Sequence, residues 1–62
     1  MLEEMRAFVL KNRNGNDVQR YYAWLVMELI SKVWDWEDFI TVGKERVAIS
    51  DVFLDIKKIV RC

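Results

Sequence analysis

Proline and histidine are absent from this sequence, glycine occurs twice, and cysteine occurs once, at position 62. One thiol cannot form a disulfide within the chain, and one thiol without histidine nearly excludes a structural zinc site. Without histidine there is no imidazole to activate a hydroxyl or thiol nucleophile. The remaining candidates, Cys62 at the chain end and the hydroxyls Ser31 and Ser50, read as a fraying terminus, a helix surface and a helix N-cap. Net charge is also missing, because ten basic residues cancel ten acidic ones. A neutral chain has no long-range attraction to nucleic acid or to an anionic membrane. No glycine-rich phosphate loop is present. The longest apolar run, YYAWLVM at 21–27, is far short of the ~20 residues of a membrane span. The first ten residues, MLEEMRAFVL, carry two glutamates where a secretion signal is basic. These features predict a cytoplasmic, non-enzymatic protein with no metal, no other cofactor and no membrane partner, and the unpaired thiol suits a reducing compartment.

Apolar residues, by contrast, are plentiful. They make up 53% of the chain, above the ~45–50% usual for globular proteins. With so little proline and glycine, disorder is not expected. Sixty-two residues make a single domain, spanning 1–62. A chain of this size buries only about 60% of the surface its unfolded form exposes, so small domains lean on disulfides, metals or partner subunits. With the first two removed, self-association is the support left, and a homodimer is its simplest form.

Four segments follow from periodicity. Residues 2–11 read as a short amphipathic helix with Leu2, Met5, Phe8 and Val9 on one stripe and Glu3 and Glu4 in the first turn. A strand through AFVL, turning at Asn14-Gly15, is the competing reading. KNRNGND at 11–17 is a loop, with Asn16 as N-cap and Gln19 completing a capping box. The main helix is predicted over 17–36. Its apolar positions Val18, Tyr22, Ala23, Leu25, Val26, Met27, Leu29, Ile30, Val33 and Trp34 spread over roughly 200°, where a one-sided helix needs only about 100°. FITVGKERVAI at 39–49 reads as a hairpin turning at Gly43-Lys44. That register sets Ile40 opposite Val47 and Val42 opposite Glu45, and places Ile40, Val42, Val47 and Ile49 on one face. A last helix over 51–61 has Ser50 as N-cap and buries Val52, Phe53, Ile56, Ile59 and Val60, with Lys57, Lys58 and Arg61 near its C-terminus. The predicted class is α+β, in the order α-α-β-β-α, with the hairpin packed on a long central helix.

One stretch resembles a known family. GKERVAISDVFLDI, residues 43–56, is similar to the wing hairpin and following helix of small excisionase-like winged-helix DNA-binding proteins. The resemblance implies that Gly43 turns the wing, that Arg46 and Ile49 lie on its return strand, and that Ser50 and Asp51 open the closing helix. It covers about a quarter of the chain. The chain departs from that pattern where the family carries a polar, basic recognition helix, since this position holds the most apolar helix here, followed by WDWED.

Candidate sites are then few. In SKVWDWEDFI, residues 31–40, the main helix running on would bring Trp36, Phe39 and Ile40 together against the core and leave Asp35, Glu37 and Asp38 as a solvated edge. The functional reading is an exposed aromatic-acidic patch that docks a basic partner; an acid cluster for catalysis or Mg²⁺ is a third. Tyr21 and Trp24 fall among charges on the polar face of the main helix, which marks either a subunit contact or packing under the first helix. The partner-binding set is therefore Tyr21, Trp24, Trp34, Trp36 and Phe39. A nucleic-acid set, Lys11, Arg13, Arg20, Arg46, Lys57 and Lys58, supports the runner-up function of a dimeric DNA-binding regulator. The leading expectation is an interaction module that self-associates and binds a protein partner. Size alone suggests an accessory or inhibitory protein of the kind mobile elements carry.

Overall fold

The computed structural model describes residues 2–60. Helix α1 covers Leu2–Asn12, α2 Asp17–Trp34, strand β1 Phe39–Val42, β2 Glu45–Ala48, and α3 Ile49–Ile59. This is the α-α-β-β-α order, with one two-stranded antiparallel hairpin. Arg61 and Cys62 lie outside the described residues.

Residues 2–11 are helical and not a strand, and the helix reaches one residue beyond the predicted end. Asn12 explains the extension. It continues the buried stripe of Met5 and Val9, and both ends of its amide are hydrogen-bonded. Its Nδ2 donates to the Phe8 carbonyl at 2.8 Å, and its Oδ1 accepts from Gln19 Nε2 at 3.0 Å. A buried amide satisfied on both sides costs little, and this one ties the end of α1 to the start of α2.

Gln19 also closes the predicted capping box. Its backbone N–H donates to Asn16 Oδ1, and the Asn16 N–H donates to Gln19 Oε1, both at 2.9 Å. Gly15 leaves room for this arrangement, because a Cβ there would fall 2.1 Å from Gln19 Oε1. Asn16→Ala should cost about 1 kcal/mol. For a domain of this size that lowers the melting temperature by roughly 4–8 °C, checked by circular dichroism. An unchanged melt would mean the cap contributes nothing.

Helix α2 stops at Trp34, two residues short of the prediction. Asp35 is the C-cap, and Trp36 takes a left-handed backbone with φ +66°. The Glu37 N–H donates to the Lys32 carbonyl at 2.9 Å and the Trp36 N–H to the Val33 carbonyl at 3.0 Å. This is a Schellman motif, whose left-handed position is usually glycine. The predicted cluster of Trp36, Phe39 and Ile40 on a continuing helix therefore does not form. The chain has already turned away, and Trp36 and Phe39 are exposed while only Ile40 packs against the core.

The hairpin holds the predicted register, with Ile40 paired to Val47 and Val42 to Glu45. Gly43 turns it at φ +65°. Ile40 and Val47 are half-buried and Ile49 is fully buried, but Val42, expected on the same face, sits exposed at the tip. The ladder runs one bond further, from the Ile49 N–H to the Asp38 carbonyl at 2.9 Å. Ile49 is thus the last ladder residue and the first residue of α3. That double role corrects the expected Ser50 cap. Ala48 is the N-cap, no side chain caps the helix, and Ser50 is already inside it. Burial of Ile49 fixes where the helix begins, and capping preference yields to it.

The core is built from Met5, Val9, Val26, Leu29, Ile49, Phe53, Ile56 and Val60, with Phe8 meeting Phe53 edge-on at 5.8 Å. Helix α1 lies antiparallel along α2, and α3 packs on α2 and β2. On α2 the residues turned fully inward are Ala23, Val26 and Leu29. Val18, Met27 and Trp34, which belong to its apolar arc by sequence, are exposed, as is Ile59 of α3. The rest of the chain covers one side of α2 and leaves the flank bare.

Candidate functional site

The bare flank of α2 is built by helical spacing. Arg20, Trp24, Met27, Ser31 and Trp34 recur at intervals of four and three residues, which aligns them in a stripe roughly 130° from the core-facing centre at Val26. Trp24, Trp34 and Trp36 are 57%, 71% and 92% exposed. Every tryptophan of the chain therefore faces solvent, although tryptophan is among the more buried residue types on average. Trp34 and Trp36 line an apolar groove of about 460 Å³ with Leu2 and Val33. Beside it, Glu28, Ser31, Lys32, Asp35 and Glu37 line a polar hollow of about 350 Å³, across which Lys32 approaches Glu37 to 3.8 Å.

The other aromatics fall into two places. Tyr21 is exposed beside Trp24 and stands edge-on to Tyr22 at 5.1 Å, so neither Tyr21 nor Trp24 is packed under α1. Phe39 lies on the hairpin, where the Arg46 guanidinium covers its ring at 4.6 Å. The predicted partner-binding residues thus share exposure but not one site. Tyr21, Trp24, Trp34 and Trp36 follow α2, and Phe39 stands apart with its own cation. Met27, which belongs to the stripe, is missing from the predicted set; its i+3 relation to Trp24 is the sequence signal that points to it.

The basic residues are dispersed. Arg20 pairs with Asp17, Lys57 reaches Glu4 at 3.6 Å and stands 4.9 Å over the Phe53 ring, and Arg46 is occupied by Phe39. Lys57 sits by the first turn of α1 and Lys11 in its last, about 10 Å apart along the axis. The two basic clusters accordingly do not merge into one patch along α1. The charges are instead segregated along the sequence around α2. Residues 11–20 hold Lys11, Arg13 and Arg20 against one acid, while residues 28–38 hold Glu28, Asp35, Glu37 and Asp38 against one lysine. Among the described residues, no group of three or more acids is arranged to hold a metal ion, and no helix is long and apolar enough to cross a membrane.

Comparison with known proteins found no matching family model, no matching curated protein and no matching solved structure.

Proposed function

We propose that this chain is a non-enzymatic interaction module that works by self-association and by docking a protein partner on the aromatic flank of α2. The observation that carries the reading is the exposure of all three tryptophans. Their placement follows from the termini and spacing of α2, and none of them belongs to the buried core. Trp36 is the sharpest case. A left-handed backbone costs a residue with a Cβ roughly 1–2 kcal/mol, and glycine at this position of a helix end escapes that cost. A bulky aromatic that accepts the strain and buries nothing is the pattern of a residue held for contact with something else.

Trp36→Gly tests the reading, because it separates stability from association. The variant should melt higher by several degrees, gaining about 1 kcal/mol, while associating more weakly than the unmodified chain. A variant that is both less stable and equally associated would overturn the assignment. Retention of the chain on a DNA column at low salt, released as salt rises, would count for a nucleic-acid regulator in its place.

A further inference from the structure

The stripe on α2 has a property that a generic sticky face lacks. Asp17, Arg20, Trp24, Met27, Ser31 and Trp34 are spaced three, four, three, four, three. Read backwards, the spacing is the same. A second α2 laid antiparallel on this face therefore presents its knobs at matching heights in one register, with Trp24 opposite Met27, Arg20 opposite Ser31 and Asp17 opposite Trp34. Knobs at three- and four-residue intervals are the condition for close packing of two helices at a shallow angle. Ser31 is small enough to receive the long Arg20 side chain.

Charge selects the direction. Helix α2 is about 27 Å long, and the segments around its two ends carry opposite excess charge, with Lys11, Arg13 and Arg20 against Asp17 at one end and Asp35, Glu37 and Asp38 against Lys32 at the other. Parallel pairing would put like against like at both ends. Antiparallel pairing brings each basic end onto the acidic end of the other copy. In the register above, each Arg20 lies level with the other copy's Ser31, three residues short of its exposed Trp34, and the end carrying Lys11 and Arg13 comes to the side of the acidic turn that follows α2.

We propose that two copies of this chain pair through antiparallel α2 helices about a two-fold axis between Trp24 and Met27, each basic end seated on the other's acidic, tryptophan-lined end. This rests on the self-association reading and specifies its geometry. It also gives WDWED a role, as the acidic end that faces the second copy's basic end.

Disulfide trapping tests it, in full-length chains carrying Cys62→Ser so that no native thiol takes part. Ser31→Cys and Arg20→Cys chains are mixed and oxidised with glutathione disulfide, and each is also oxidised alone. The mixture should form the crosslink between positions 31 and 20. Neither variant alone should, because like positions sit eleven residues apart along the helix, about 16 Å, against a Cα separation of at most ~7 Å for a disulfide. A crosslink in either variant alone means a parallel or shifted pair and overturns the geometry. No crosslink anywhere, with light scattering still at twice the subunit mass, places the interface elsewhere and overturns the geometry while self-association stands. A single-subunit mass removes both.

Discussion

Phe53→Ala should leave the chain without a cooperative melt at micromolar concentration. Phe53 is 2% exposed, meets Phe8 edge-on and lies under the Lys57 ammonium. Removing a buried phenylalanine costs about 3–5 kcal/mol. A domain of 62 residues has roughly 3–9 kcal/mol in total. The loss therefore takes most or all of the stability. Leu54→Ala, one residue along and half exposed, is the control and should cost under about 1 kcal/mol. Circular dichroism melts of the two variants decide the matter. A Phe53→Ala chain that still melts sharply within a few degrees of the parent would show that the core is not centred on α3.

The second large effect belongs to the proposed interface. Trp24→Glu removes an exposed indole at the middle of the α2 stripe and puts a carboxylate beside the symmetry axis, where each copy would face the other's. Central tryptophans at interfaces carry 2 kcal/mol or more when truncated. The dimer dissociation constant should rise by about 30-fold or more, and the far-ultraviolet circular dichroism of the chain should be unchanged, because Trp24 contributes nothing to the described core. Analytical ultracentrifugation across a concentration series reads the change. A dissociation constant within twofold of the parent's would show that Trp24 lies outside the contact.

The order of elements, the capping box and the hairpin register were all legible in the sequence. Each is set by local chemistry, since Asn16 with Gln19 marks a helix start and Gly43 fits the positive φ of a two-residue turn. Two boundaries were not legible. The end of α2 was hidden because Trp36 stands where a Schellman motif normally shows glycine, so the apolar periodicity of the sequence runs on through it. The start of α3 was hidden because Ile49 is held by the strand ladder and the core at once, which overrides the capping preference of Ser50. The identity of the bare flank was half legible. A 200° apolar arc says that some residues must stay uncovered, but only the position of α1 and α3 decides that Val26 and Leu29 are buried while Met27 and Trp34 are not. Asn12 was missed altogether, because a polar residue at a helix end reads as loop until its two hydrogen bonds are known.

Whether one copy is enough can be read directly from the mass of the unmodified chain in solution. Multi-angle light scattering from low to high micromolar concentration should show the mass climbing from near 7.5 kDa toward twice that value. A constant single-subunit mass over the whole range, in a chain that melts cooperatively at high temperature, would mean that the tryptophan-lined flank is stable bare, and self-association would have to be abandoned.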